Sequence, residues 1–341
     1  MSPPPTIDTT EEIFEDSLLS LFQHRPIAFS TKGPEDPYVY LPSGIQLLRR
    51  ASVENKDGKE NSKDDNDNGS MPLQLPPLKQ QPAIKLNLPT APPALHTTLQ
   101  LSHLWLSSIF LADLISHHLI TVNRERICEL GAGAGLPGIV SALNGAKEVV
   151  ATDYAVPLQQ GREEGVLDVL RSNFLRTVPR AAEEEGNTWA VLGHTWGDGE
   201  SVRRVLSSPL NSNSNSHTEA ESGKFTLLLL ADLLWSTASH SALITSLERL
   251  MDPQKGRACV VAGLHQGRGP VERFICSWKA AGGWLRYEME VQWGPEGWEL
   301  LEDFRGTVDD GKWEYLYDEA RNGGDEHGTV VYFTIGLENP R

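Results

Sequence analysis

The sequence predicts an α/β protein built on a mainly parallel sheet, and three observations carry that expectation. From residue 101 onward, short apolar strands alternate with amphipathic helices. The run Phe225-Thr-Leu-Leu-Leu-Leu-Ala231 has no polar alternation, the mark of a strand covered on both faces. Between Arg126 and Asp153 a strand, a glycine-rich turn, a helix and a second strand ending in an acid succeed one another, as in a Rossmann-like unit.

The elements follow in order. Residues 11 to 23 form an amphipathic helix with Ile13, Phe14, Leu18, Leu19, Leu21 and Phe22 on an apolar stripe. Tyr38 to Leu47 and Ala83 to Leu88 read as short strands. A helix over about 101–119 carries Leu104, Trp105, Ile109, Phe110, Leu114 and Ile115 on one face. Strands follow near 126–130, 148–152, 188–192, 225–231 and 257–263, with helices near 136–144, 158–175, 239–251 and 270–281. Trp284 to Trp293 and Gly328 to Leu337 have Gly-rich boundaries and read as two long antiparallel strands closing the sheet edge. The expected architecture is five parallel crossover strands plus a C-terminal antiparallel pair, with helices on both faces.

Two stretches stand outside this core. Residues 54 to 70 contain no apolar side chain and are expected to be disordered. Residues 206 to 223, with Asn and Ser alternating at 211–216, read as a flexible insertion. The chain divides into an N-terminal extension, 1–94, and a main domain, 95–341.

At 341 residues the chain is long enough for an ample core, and its formal net charge is −16. That charge disfavours nucleic acid and suits a basic protein partner or a small molecule. Cys128, Cys259 and Cys276 lie far apart, with neither metal-ligand spacing nor a disulfide framework. They fit a reducing compartment. No signal core and no 18-residue apolar run is present. The expectation is a soluble, cytoplasmic, monomeric protein without metal or membrane contact.

The chemistry concentrates in Glu129-Leu-Gly131-Ala-Gly133-Ala-Gly135-Leu-Pro-Gly138. The glycines permit a sharp turn and a close ligand approach, and Asp153 ends the second strand about 20 residues on, where such folds hold a ribose diol. Two ligands compete for this turn. Gly133-Ala-Gly135-Leu-Pro-Gly138 satisfies the dinucleotide string, yet the glycine that directly follows the strand is Gly131. Glu129, two residues before it, suits a positively charged ligand such as S-adenosylmethionine and sits awkwardly beside a pyrophosphate. S-adenosylmethionine is favoured; a dinucleotide, or a ligand-free tight turn, remains an alternative. A second candidate is Asp232, an acid directly after a buried strand on the edge where ligands bind in open α/β sheets.

The layout and three segments resemble the seven-stranded S-adenosylmethionine-dependent methyltransferases. Ser102 to Asp113, Glu129 to Gly138 and Ala231-Asp-Leu-Leu-Trp235 look like the lysine-methyltransferase-like branch, methyltransferase family 16. Ala231 to His240 and Val261 to Arg268 are similar, more narrowly, to fungal nicotinamide N-methyltransferase-like proteins, relatives of an elongation-factor lysine and N-terminal methyltransferase. The resemblance spans about residues 95–337, and more weakly 11–50.

It implies S-adenosylmethionine as cofactor and a protein lysine or N-terminal amine as acceptor, with a translation-related or other basic protein as partner. A small amine such as nicotinamide is the alternative acceptor. Glu129, Gly131 and Gly133 would line the methionine end of the cofactor, with Gly135 also among the cofactor-binding residues. Asp153 would hold the ribose, and Tyr154 and Trp196 would lie against the adenine. Trp105 would close over the cofactor, while Ala231, Asp232 and Trp235 would face the methyl group. The family pattern after the acid ends in Tyr or Phe; Trp235 keeps the aromatic wall and lacks the hydroxyl. Plain packing is the rival reading for Trp105 and Trp196, since nine tryptophans are many for this length. His265 and His103 read more simply as loop and helix-start polar residues.

Overall fold

The computed structural model describes residues 27–31, 35–42, 48–49, 83–89, 102–155, 165–179, 188–208, 223–294, 297–304 and 326–337. The expected helix at 11–23, the segment 54–70 and nearly all of the 206–223 insertion lie outside these residues.

Four short strands come first: β1 (Ala28–Phe29), β2 (Tyr38–Tyr40), β3 (Leu48–Arg49) and β4 (Ile84–Leu86). Then follow β5 (Leu104–Trp105), α1 (Leu106–Ser116), β6 (Arg126–Leu130), α2 (Leu136–Leu143) and β7 (Glu148–Asp153). Next are α3 (Val166–Thr177), β8 (Thr188–Gly193), α4 (Gly199–Leu206), β9 (Leu227–Ala231) and α5 (His240–Leu250). The chain continues through β10 (Arg257–Gly263), α6 (Gly269–Ala280), β11 (Trp284–Gly294), β12 (Gly297–Asp303) and β13 (Thr329–Gly336).

Among the described residues the main sheet has nine strands in the order β3-β12-β11-β13-β10-β9-β6-β7-β8. The five crossover strands pair in parallel. β13 inserts antiparallel between β10 and β11, so the expected antiparallel pair is present. Alternate side chains of each central strand face opposite layers. Leu227 and Leu229 join the core under α1, α2 and α3, whereas Leu228 and Leu230 join the one under α4, α5 and α6. That double burial is what the unalternating leucine run anticipates. The strand order reverses between β6 and β9, which opens a crevice at their carboxyl ends.

Four expectations change. Leu104 and Trp105 are not helical: they pair with β1, and Trp105 is the extended N-cap of α1 at φ −74° and ψ 147°. The antiparallel pair does not close the sheet edge, because β12 pairs with β11 and β3 with β12. β12 buries Trp298 and Leu300 at alternate positions, a short period-two pattern. α4 is an unexpected helix, started by Asp198, whose carboxylate accepts from the Glu200 and Ser201 amides. Of the strand expected at Tyr38 to Leu47, Tyr38–Tyr40 is a strand, and 43–47 lie outside the described residues.

One buried carboxylate ties three regions together. Asp113 in α1 accepts the Tyr40 hydroxyl at 2.7 Å and the Trp298 indole N–H at 2.9 Å. Burial and the Asp113 charge hold the Tyr40 phenol well above its usual range, so it stays a donor. Trp298→Phe removes one donor from this buried acceptor and should lower unfolding stability by about 1–3 kcal/mol. Urea denaturation at unchanged m-value checks it; unchanged stability would show that the indole bond is dispensable.

Candidate functional site

A cavity of about 310 Å³ opens at the carboxyl ends of β6, β7, β8 and β9, lined by residues from all four loops and from β5. Its floor is the glycine turn. Gly131, Gly133 and Gly135 have φ values of +59°, +53° and +83°, a region that residues with a Cβ rarely adopt. Gly133 faces the cavity, for a Cβ there would meet nothing within 4 Å. Its N–H donates to Asp153 Oδ2 at 2.7 Å, while Asp153 Oδ1 accepts the Tyr154 N–H at 2.7 Å. The Asp153 carboxylate is thereby fixed on the cavity wall. Burial raises its pKa to about 6, against the pull of the two amides.

Glu129 and Gly135 sit differently from the other motif residues, and neither borders the cavity. Glu129 is buried beneath the turn, where its Oε2 accepts the Gly138 N–H at 2.9 Å in the first turn of α2. A Cβ on Gly135 would clash with Leu170 and Phe174 of α3, so this glycine allows close packing of the turn on that helix. Burial, and secondarily the Asp153 charge, raise Glu129 to a pKa of about 8 although the Gly138 amide opposes them.

The adenine-side expectations converge. Tyr154 and Trp196 both line the cavity, Tyr154 partly exposed and Trp196 half-buried. Trp196 also packs on the core under α4 and α5, so packing and cavity lining coincide in one ring. The loop that carries it is fixed by His194, which sequence reasoning passed over. The His194 imidazole lies between Ser201 Oγ at 2.9 Å and Ser246 Oγ at 3.1 Å. Ser246 also accepts the Gly197 N–H at 2.9 Å. Burial lowers the His194 pKa to about 4, leaving the ring neutral. Its place directly after β8, two residues from Trp196, was the available signal.

Ala231, Asp232 and Trp235 line the opposite side. Asp232 adopts φ +59°, a left-handed conformation that costs a residue with a Cβ roughly 1–2 kcal/mol and that aspartate tolerates better than most. Its carboxylate is buried, with Oδ1 accepting the Gly263 N–H at 3.2 Å and Oδ2 lying 3.9 Å from His265 Nδ1. Burial raises its pKa, and the neighbouring His265 pulls the other way. The His265 ring stacks on Trp105 at 5.0 Å and 25°. Trp105, His103, Ser236 and Ser239 border the same cavity. His265 thus adjoins Asp232 from behind the cavity wall. Among the described residues no cluster of His, Cys, Asp and Glu could hold a metal ion.

The buried acids give a pH prediction. A carboxyl whose pKa is higher in the folded than in the unfolded chain stabilises at low pH, and that stabilisation is lost as pH rises through the folded value. For Glu129 the window runs from about 4.5 to about 8. Glu129→Gln keeps an acceptor for Gly138 and removes the titration. Its stability relative to the unmodified protein should therefore increase from pH 5 to pH 8. Paired thermal melts across that range test it, and a pH-independent difference would refute the burial of a titrating Glu129.

No protein-family model matches the chain. It is 35% identical over 177 residues to a protein N-terminal and lysine N-methyltransferase, efm7, of Schizosaccharomyces pombe, covering 50% of this chain and 61% of that protein. The namesake from Cryptococcus neoformans is 38% identical over 147 residues, 43% of this chain and 42% of the relative. The match therefore spans about half the length of these curated relatives. Among solved structures, a precorrin-6y C5,15-methyltransferase from Geobacter metallireducens covers 68% of this chain and 86% of its own, at TM-score 0.37 and 10% identity. TYW2 of P. horikoshii, solved with MeSAdo, covers 76% of this chain and 70% of its own, at TM-score 0.36 and 11% identity. Likeness that loose says nothing of function. Among the described residues no helix is long and apolar enough to cross a membrane. The chain is homologous over half its length to fungal protein N-terminal and lysine N-methyltransferases, and its strand order is that of the S-adenosylmethionine-dependent methyltransferase fold.

Proposed function

We propose that the protein is an S-adenosylmethionine-dependent N-methyltransferase whose acceptor is an amine of another protein, an N-terminal α-amine or a lysine. The observation that carries this reading is the placement of Asp232. A buried carboxylate in a left-handed turn ends β9 on the cavity wall, with Trp105 and Trp235 beside it and Gly133 and Asp153 across. The cavity residues fit the cofactor. Gly133 leaves room for close approach, Asp153 offers oxygens to ribose hydroxyls, and Tyr154 and Trp196 offer aromatic surface to adenine. Glu129 and Gly135 support this pocket from below the turn.

When bound, S-adenosylmethionine supplies an activated methyl group. The chain's own residues then have three tasks: to orient the acceptor, exclude water and favour an unprotonated amine. An α-amine of pKa near 7.7–8.0 loses its proton at pH 7 for about 1 kcal/mol, a lysine of pKa about 10.4 for about 4.6 kcal/mol. Asp232 accepts an N–H of the amine and so aims its lone pair. Trp105 and Trp235 provide apolar walls that tolerate a cation. The net charge of −16 favours a basic partner, and the methylation of protein N-termini and lysines by the fungal relatives supports a protein acceptor. None of the three cysteines forms a disulfide, and we place the protein in the cytoplasm on that basis.

The test supplies labelled cofactor with three acceptors: a basic peptide with a free N-terminus and no lysine, an N-acetylated peptide with lysines, and nicotinamide. Label entering either peptide supports the reading, and label entering nicotinamide alone overturns the protein acceptor. Asp232→Asn and Trp235→Ala should each slow single-turnover methylation by about tenfold or more, on the order of 1.4 kcal/mol. Trp235→Tyr should retain most of the rate. Normal rates in the folded fraction of both variants would remove these residues from the chemistry. Cofactor affinity should weaken as pH falls through about 6, where Asp153 gains a proton and loses acceptor strength. Calorimetry with Asp153→Asn checks this: the variant should bind more weakly by about 1.5–3 kcal/mol and lack the pH dependence.

A further inference from the structure

Described residues before 90 are bonded, at two places, to elements that carry the cavity wall, although none of them lines the cavity itself. On one side Ala28 pairs with Trp105 and Phe29 with Leu104, and the Leu106 N–H donates to Ile27 O at 3.1 Å. The backbone that presents Trp105 is therefore held as a strand by residues 27–29. On the other side Asn87, just past β4, meets Asn173 of α3. The Asn87 N–H donates to Asn173 Oδ1 at 3.0 Å, and the Asn87 carbonyl accepts from Asn173 Nδ2 at 2.9 Å. The same Nδ2 donates to Ala134 O, in the glycine turn, at 2.9 Å. Arg176 adds bonds to Asn173 Oδ1 at 2.5 Å and to Asn87 Oδ1 at 3.4 Å.

Asn173 is fully buried within a helical stripe of Val166, Val169, Leu170 and Phe174. An amide in such a place is unfavourable unless its groups are bonded. Here both amide hydrogens and both lone-pair directions have partners, all of them in this one junction. Apart from Arg176, one turn along α3, the partners of Asn173 are the exit of β4 and the turn that floors the cavity.

We propose that residues 27–31 and 83–89 are a working part of the cofactor pocket, strapped to it by the β1–β5 pairing and by Asn173, the positioning residue that joins Asn87 to the glycine turn. The proposal rests on the cofactor reading above. Its consequence is reciprocal coupling. A ligand that steadies the turn at Gly133 must also steady Asn87, and loosening Asn87 must weaken that ligand by the same factor.

The test uses the full chain and two variants. Asn173→Asp keeps the side-chain size and exchanges both N–H donors for an acceptor. Asn87→Pro removes the backbone donor and leaves Asn173 in place. Hydrogen exchange in the ligand-free proteins and calorimetric titration with S-adenosylhomocysteine are the readouts. The expected results are faster exchange at 131–135 in each variant, and affinity lower by about tenfold. In the unmodified protein, bound ligand should slow exchange at 84–89, and in the variants the cofactor KM should rise more than kcat falls. Folded variants with normal exchange at 131–135 and normal affinity overturn the proposal. Should Asn173→Asp fail to fold, Asn87→Pro alone gives both readouts. An unmodified protein that binds no S-adenosylhomocysteine refutes the cofactor reading, and the ligand-free exchange still decides whether the strap holds the turn.

Discussion

The bond from the Gly133 N–H to the Asp153 carboxylate is the constraint on which the cavity depends. At the end of β6 the chain must leave a sheet that is covered on both sides. It does so through three positive-φ glycines, a path whose amides point out of any regular ladder. One of those amides needs an acceptor at the cavity surface, and the end of β7 provides it. The same carboxylate then has fixed oxygens facing the cavity, so the device that closes the turn also presents a polar group there. The Ala132 N–H donates to Thr152 O at 2.9 Å, which fastens the turn to β7 a second time.

Three acids end or flank the central strands, and their surroundings separate their uses. All three are buried and all three have raised pKa values, for burial disfavours the charge in each case. Glu129 accepts one bond, from the Gly138 amide inside α2, and is not among the cavity-lining residues. Asp153 is held by two amides and keeps a face on the cavity. Asp232 likewise accepts one amide bond, the longer one from Gly263, has a histidine at 3.9 Å, and lines the cavity. A buried carboxylate short of donors is where an incoming N–H gains most. What separates Asp153 and Asp232 from Glu129 is that they line the cavity.

The five parallel strands were legible because each is largely apolar, the leucine run Leu227 to Ala231 most clearly, and the glycine turn because positive φ selects its residue type. Asp153, Trp196 and Asp232 were legible because they follow strands at one sheet edge. What escaped depends on contacts distant in sequence. Trp105 looked helical from its apolar spacing, and only its pairing with Ala28 makes it extended. Asn173 gave no signal at all, since its partners Asn87 and Ala134 lie 86 and 39 residues away. Glu129 and Gly135 belong to the motif by spacing, yet one bonds Gly138, the other packs on α3, and neither is among the cavity-lining residues. A motif string records which residues a turn requires without saying which of them face the ligand.

The distribution of polar groups also bears on the acceptor. The described cavity wall has two carboxylates, Asp153 beside the glycine turn and Asp232 beside the tryptophans, while the rest is aromatic, His103 and His194 included, or small, aliphatic or hydroxyl-bearing. A wall of that kind gives a protonated amine one charged partner and little else. Asp232 is itself destabilised as an anion by burial, so part of the proton's attraction to the amine is offset by its attraction to the carboxylate. On the proposed reading, such a site would gain rate from orienting an amine that sheds its proton readily, not from a strong base. A protein α-amine, with its lower pKa, meets that condition at smaller cost than a lysine does. In that proposal orientation by Asp232 would be common to both acceptors, and the difference between them would fall on the deprotonation step.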